Sequence, residues 1–218
     1  KTSGDTIKVE LKDFGGKGLF TREIEDAMLA HEIDIAVHSM KDMPVEQPGG
    51  LLLDTYLPRE DVRDAFVSPS VGGLSELPEG AEVGTSSLRR KAQVLVAYPH
   101  LKVVEFRGNV QTRLKKLDDG VAACTFLAMA GLNRLGQTEV ARGAIDPEEM
   151  LPAVAQGASG SERRADDTRM ADMLAAIHDH ATGERLAAER AFLAAKLGED
   201  MARRRLAQAG PGVFDWRT

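Results

Sequence analysis

The sequence predicts an α/β protein with a largely parallel sheet. Runs of apolar, often β-branched residues alternate along the chain with segments whose apolar residues recur at helical spacing. Two proline-centred segments, 57–63 around Pro58 and 151–157 around Pro152, read as crossings between lobes. If both are hinges, residues 63–151 form one lobe, and the flanking segments close back on each other as a second lobe, with a ligand cleft between the two.

The elements follow in order. Residues 19–32 read as a helix with Phe20, Ile24, Ala27, Met28 and His31 on one face. Residues 33–37 follow as a buried strand that runs into the polar cluster His38-Ser39-Met40-Lys41-Asp42, and Pro44 bars an immediate helix. Residues 82–85 are a short strand leading into a helix over 87–97. Residues 101–106 are another strand, feeding Gly108-Asn109 and a helix with Val110, Leu114 and Leu117 on one side. Residues 121–127 read as a strand, and 128–135 begin a further helix. Met170, Met173, Leu174 and Ile177 stand at i, i+3, i+4 and i+7, the spacing of an amphipathic helix.

Composition narrows the class. Of 218 residues, 43% are apolar and 28% charged, an ordinary balance for one large domain or two small ones. The net charge of −6 is too acidic for a chain built mainly to hold nucleic acid, and with 5% aromatic residues stacking platforms are not expected. No apolar run approaches the roughly 18 residues of a membrane span, and no signal peptide opens the chain, so a cytoplasmic protein is the default expectation. The single cysteine, Cys124, excludes an internal disulfide and any multi-thiolate metal site. The chain opens at Lys1 in a polar, turn-like stretch, which reads as something other than a natural beginning.

The charge is uneven. Residues 85–116 hold eight basic side chains and one acidic, a net +7, which leaves −13 for the rest. A cationic field within an acidic chain suggests a small polyanionic ligand drawn to one cleft. Exposed lysines need no special purpose, so Lys91, Lys115 and Lys116 fit equally well on a solvated face.

Two segments carry this charge into places suited to ligands. Gly84-Thr85-Ser86-Ser87-Leu88-Arg89-Arg90 stands where a strand hands over to a helix. Glycine permits the turn, a serine hydroxyl caps the helix, and free N–H groups face the same space as two guanidiniums suited to carboxylates. Arg107-Gly108-Asn109-Val110-Gln111-Thr112-Arg113 repeats the logic after the next strand. Strand ends of this kind line ligand crevices in α/β sheets. A capped helix with surface arginines is the plain structural alternative for each.

Ser39, Lys41 and Asp42 also lie beyond a strand end. A carboxylate beside an ammonium stays ionised near neutrality and can move protons or oppose positive charge developing on a substrate. The alternative is an Asp opening a turn before Pro44. Asp13-Phe14-Gly15-Gly16-Lys17-Gly18 is neither a kinase motif nor a P-loop, since Gly18 rather than Ser or Thr follows Lys17. It reads as a flexible turn presenting Lys17, with Phe20 just after it. Cys124 reads as a core filler, and His178 and His180 as surface residues at a helix end with no metal spacing.

Together these segments resemble the porphobilinogen deaminase, or hydroxymethylbilane synthase, family. The matching strings are Gly15-Gly16-Lys17-Gly18-Leu19-Phe20, Asp34 through Asp42, Gly84 through Arg90, Arg107-Gly108-Asn109-Val110, Ala130-Gly131-Leu132 with Arg134, and Ala188-Glu189-Arg190-Ala191. The resemblance implies three α/β domains, the first two like the lobes of periplasmic binding proteins, with the active site between them. On this chain it implies a first lobe at 1–57 plus 158–178, a second at 63–151, and a remnant of the third, cofactor-carrying domain at 180–218. It implies a transferase that joins four porphobilinogen units head to tail with release of ammonia, acting as a monomer without nucleic acid or membrane. Asp42 matches the family's catalytic aspartate. Arg89, Arg90, Arg107, Arg113 and Arg134 match its binding arginines, with Thr85, Ser87, Asn109, Ser39, Lys41 and Lys17 as further polar contacts and Phe20 as an aromatic against a pyrrole ring.

Three departures accompany the match. The family holds a dipyrromethane cofactor through a cysteine thioether, and Asp200 stands where that cysteine is expected on a loop. The implied contacts to the cofactor are then non-covalent, from Arg89, Arg90 and Asp42, and the chain as it stands is expected to turn over little or not at all. Ala155 replaces a glycine of the family's Gly-Gln-Gly turn, and the following Ser159-Gly160-Ser161 is more polar than the family's apolar strand, which is expected to weaken the return crossing. A chain that binds small polycarboxylates without catalysis is the alternative function.

Overall fold

A computed structural model describes residues 21–209, with side chains over 21–196. In chain order the elements are α1 (Arg22–Leu29), β1 (Ile35–Ser39), a 3₁₀ turn (Met40–Asp42), β2 (Leu51–Tyr56), β3 (Asp64–Val67), β4 (Glu82–Gly84), α2 (Leu88–Ala97), β5 (Lys102–Val104), α3 (Val110–Asp118), β6 (Cys124–Ala128), α4 (Met129–Leu135), β7 (Gly143–Ala144), β8 (Ser159–Arg164), α5 (Thr168–Ala175) and α6 (His180–Ala209). The chain divides into two compact units, passing from the first to the second between Pro58 and Arg59 and returning between Gly157 and Ala158. Among the described residues no helix is long and apolar enough to cross a membrane.

The second unit is built on a five-stranded sheet, β5-β4-β6-β3-β7. β4 runs parallel to β5 and β6, whereas β3 is antiparallel to β6 and β7. Strand alternation sends side chains to opposite faces. Phe66, Val83, Cys124 and Phe126 pack with Val94 of α2 on one face. Ala65, Val67 and Leu127 pack with Leu117 of α3 and Leu132 of α4 on the other. Helices covering both faces explain why β3 is buried along its whole length.

The first unit has a three-stranded sheet, β1-β8-β2, antiparallel throughout. The expectation of a largely parallel sheet is therefore corrected: among the described residues only the β4 pairings are parallel. Of the strands without a parallel partner, the sequence predicts β1, whereas it does not single out β2, β3, β7 and β8. The strand expected at 33–37 lies at Ile35–Ser39 and is not buried, with Val37 63% exposed on an edge strand. The predicted helical face of α1 holds for Met28, which is buried, and for half-buried Ile24 and Ala27. His31 lies past the helix end, exposed and at positive φ, and Phe20 falls outside the described residues. On α5 Met170 and Leu174 are buried and Met173 is exposed, while Ile177 lies past the helix end, half exposed.

The polar Ser159-Gly160-Ser161 segment opens β8, Ser-Gly-Ser-Glu-Arg-Arg, whose six residues are all buried in the middle of the sheet. Most of the polar side chains are paired internally. Glu162 accepts from or donates to His38 Nε2 at 3.0 Å, and Arg163 pairs with Asp54. Arg164 reaches Asp167 at 2.8 Å and the carbonyl oxygens of Met28 and Ile33. Buried polar groups are tolerated when their hydrogen bonds are made, and this strand needs no apolar surface to hold its place.

One part of that network is incompletely paired. Glu25 of α1 faces the His38–Glu162 pair, and Oε1 of both Glu25 and Glu162 is buried without a partner. Burial, reinforced by the Glu162 charge and opposed by the Thr21 hydroxyl, pushes the Glu25 carboxyl up. A carboxyl raised in the folded state binds its proton more tightly than in the unfolded chain, so its contribution to stability is lost as pH rises through the folded value. Glu25→Gln is therefore expected to melt above the parent at pH 8, with the difference vanishing near pH 4. Thermal melts across that range check it, and a pH-independent difference would contradict it.

Candidate functional site

The basic residues of the second unit gather at one end of its sheet. β4 and β5 are parallel neighbours, and each ends where a helix begins, so α2 and α3 start side by side. Both starts are capped, α2 by Ser87, one of the two serines offered for that place, and α3 by Asn109. Ser87 Oγ accepts from the Arg90 amide at 3.4 Å, and Thr85 Oγ1 accepts from the Ser87 amide at 3.1 Å. Asn109 Oδ1 accepts from the amide and the hydroxyl of Thr112 at 2.9 and 2.8 Å. Ser86 Oγ accepts from the Phe106 amide at 3.2 Å, which ties the two loops together. The crossing is tight: a Cβ on Gly84 would lie 2.5 Å from the Phe106 ring, so only glycine fits. Paired helix N-termini present partial positive charge to an anion.

The guanidiniums are held by a group that the sequence reading passed over. Asp64, at the start of β3, is fully buried and accepts from Arg89 Nη2 and Arg90 Nη2, both at 2.7 Å, and from Gln156 Nε2 at 2.9 Å. Arg89 also reaches the Leu151 carbonyl oxygen, and Arg90 that of Phe126. Arg90 is thereby turned inward and buried, which neither a ligand-facing arginine nor a surface arginine anticipates, while Arg89 is part exposed. Burial alone would raise the Asp64 carboxyl. The hydrogen bond and charge of Arg90, then Arg89 and Gln156, outweigh it and hold Asp64 below the usual carboxylate range.

Arg113 extends the cluster from α3, its Nε donating to the Gly108 carbonyl oxygen at 2.8 Å. Burial, and then the charge of Arg90, pull it below the ordinary arginine value, with Glu105 opposing. Arg89 and Arg90 thus share one carboxylate, and Arg113 feels the Arg90 charge with Glu105 opposing, so the cluster keeps a net positive charge that a polyanion can neutralise. Arg107 is partly compensated by an ion pair with Glu105. Arg134 lies apart, exposed in the last turn of α4.

Asp42 belongs to the first unit and closes the 3₁₀ turn that follows β1. Ser39 is the last residue of β1 rather than a residue beyond it, and Lys41 is half-buried within the turn. Asp42 is exposed and makes no hydrogen bond or ion pair with the described residues. Its neighbours Met40 and Met43 are buried, and the Met40 amide donates to the Ala158 carbonyl oxygen at 3.0 Å. Gly160 makes room for Met40, since a Cβ there would lie 2.4 Å from the sulfur. A free carboxylate on a pinned turn is available to a ligand.

The remaining candidates divide. Cys124 is buried in β6 and its thiol is pushed up to about 12 by burial, which makes it a core residue and not a nucleophile at neutral pH. His178 departs from its surface reading: it is half-buried and its Nδ1 accepts from the Tyr56 amide at 3.2 Å. Lys17 and Phe20 lie outside the described residues, as does the side chain of Asp200, although the backbone there is helical within α6 rather than a loop. Among the described residues no group of His, Cys, Asp or Glu side chains is gathered to hold a metal ion.

Comparison with known proteins decides the family. The model of "Porphobilinogen deaminase, dipyromethane cofactor binding domain" matches residues 1–172. The chain belongs to the porphobilinogen deaminase family. A porphobilinogen deaminase of Paracoccus denitrificans is 70% identical over 195 residues, covering 89% of this chain and 62% of that protein. The chloroplastic porphobilinogen deaminase of Oryza sativa subsp. japonica is 54% identical over 194 residues, covering 88% of this chain and 54% of that protein. The chain thus spans between half and two thirds of the length of these relatives. Among solved structures, a putative methionine-binding lipoprotein of Bacillus subtilis aligns over 74% of this chain and 76% of its own with a TM-score of 0.46 and 12% identity.

The family's cofactor, a dipyrromethane, carries carboxylate side groups, and the donor set of the second unit suits them: part-exposed Arg89, half-buried Arg113 and two capped helix starts. The expectation of an inactive chain finds no support in the fold or the relatives, and neither does the non-catalytic alternative.

Ala155, where the family's turn has glycine, sits at φ 64° and is buried. A left-handed backbone costs a residue with a Cβ about 1–2 kcal/mol, part of which the buried methyl offsets. Ala155→Gly is expected to raise the melting temperature by about 2–4 °C; an unchanged or lower value in thermal unfolding would contradict that cost.

Proposed function

We propose that this chain forms the cofactor- and substrate-binding part of a hydroxymethylbilane synthase, a monomeric cytoplasmic transferase that joins four porphobilinogen units head to tail with release of ammonia. The observation that carries the reading is the positive cluster in which Arg89 and Arg90 share the buried Asp64 carboxylate and Arg113 feels the Arg90 charge, at the starts of α2 and α3. Each pyrrole brings an acetate and a propionate, so a growing chain adds two negative charges per unit, and guanidiniums accept them through paired hydrogen bonds. Arg107, Arg134, Lys41 and Lys17 supply further cations in this reading. Thr85, Ser87, Asn109 and Ser39 are further polar contacts to the ligand, and Phe20 packs on a ring.

The dipyrromethane, when bound, supplies the pyrrole end from which the product grows. Asp42 does the proton work. As each unit is added, the bond from the aminomethyl carbon to nitrogen breaks and ammonia leaves. A carbon–carbon bond to the next ring forms, and the ring proton is lost. Positive charge builds on the pyrrole nitrogen while this happens, and an ionised Asp42 opposes it and takes up or returns the proton. The test is incubation of the whole protein with porphobilinogen, following ammonia and linear tetrapyrrole. Both are expected, and the absence of both would overturn the assignment.

A further inference from the structure

The Ala188-Glu189-Arg190-Ala191 string has no role in the chemistry above, yet Arg190 of α6 reaches the segment that carries Asp42. Its Nη2 donates to the carbonyl oxygens of Pro44 and Val45, at 2.6 and 2.9 Å. The Gln47 side-chain amide adds a bond to the same Pro44 oxygen at 3.0 Å. These carbonyls lie two and three residues beyond Asp42. Before Asp42, the turn is held by the Met40 amide on Ala158 and by the buried Met40 side chain, and just after it by the buried Met43 side chain. Pro44 has no N–H and cannot fasten this stretch to a strand, so a donor from elsewhere must. Without Arg190 the stretch after Asp42 would keep the Met43 packing and the Gln47 bond but lose both of its long-range hydrogen bonds.

We infer that Arg190 is a positioning residue for Asp42: by gripping the Pro44 and Val45 carbonyls, it fixes where the free carboxylate stands. The inference rests on the catalytic reading of Asp42 given above. A charged guanidinium serves because one nitrogen offers two N–H groups to two adjacent carbonyls at once, which an uncharged amide of shorter reach does not. A displacement of about 1 Å of an acid–base group costs on the order of 10²-fold in rate.

The experiment compares the whole protein with Arg190→Gln, Arg190→Lys, Asp42→Asn and the Asp42→Asn/Arg190→Gln double variant. Arg190→Gln is expected to lower kcat by about 10- to 100-fold with KM within about twofold. It should also speed hydrogen exchange at amides 41–47. Arg190→Lys, with a single ammonium in place of the fork, should recover part of the kcat and provides the reading if the Gln variant does not fold. In the Asp42→Asn background, Arg190→Gln should cost nothing further, because two residues acting through one group are not additive. An unchanged kcat in both Arg190 variants, or a full additional loss in the double variant, would overturn the inference while leaving the role of Asp42 intact. An unchanged kcat in Asp42→Asn alone would instead overturn the catalytic reading itself.

Discussion

Asp64→Ala is expected to destabilise the second unit by about 3–5 kcal/mol, because removing one partner of a buried ion pair strands the charge that remains. Here two guanidiniums are stranded, and Gln156 loses an acceptor as well. The neighbouring Nε atoms of Arg89 and Arg90 are already buried without partners, so the cluster has no spare acceptor to turn to. Denaturant unfolding of parent and variant measures the loss. A change below about 1 kcal/mol would mean that the guanidiniums find water instead, as an exposed pair would. The parent should show the matching pH dependence. A carboxyl held below its unfolded value contributes stability above about pH 4, where the unfolded Asp is ionised, and loses it as pH falls through the folded value. Asp64→Ala should flatten that acid limb.

Asp42→Asn is expected to lower kcat by about 10²- to 10⁴-fold, the range for a lost general acid–base group. Its KM for porphobilinogen should change little if, as proposed, arginines hold the substrate carboxylates. The side chain is exposed and without partners among the described residues, so its stability should stay within about 0.5 kcal/mol of the parent. Steady-state kinetics beside a thermal melt separates these outcomes. A parallel fall in stability and activity would point to a structural aspartate, and an unchanged kcat would remove Asp42 from the chemistry.

Much of the site was legible in the residues. Caps and turns are local, so Ser87 and Asn109 could be assigned to helix starts from their neighbours alone, and both do cap α2 and α3. The clustering of arginines after two strands also needed only the chain. The partners of those arginines did not show. Asp64 stands 25 and 26 residues from Arg89 and Arg90, and nothing in Asp64-Ala65-Phe66-Val67 marks its first residue as the buried anchor of a cationic cluster. The pairing of Arg190 with Pro44 and Val45 spans about 145 residues and is equally silent.

What the amino-acid order determined by itself was every feature that a few neighbouring residues decide: the α/β alternation, the capped helix starts, the strand at β4 and the positive charge around them. The tertiary structure alone decided which strands run antiparallel, that Arg90 turns inward to Asp64, and that a strand reading Ser-Gly-Ser-Glu-Arg-Arg forms the centre of a sheet. The physical reason is one of range. Propensity and capping act over a turn of helix, whereas a buried charge is tolerated only through partners that the fold brings from far along the chain.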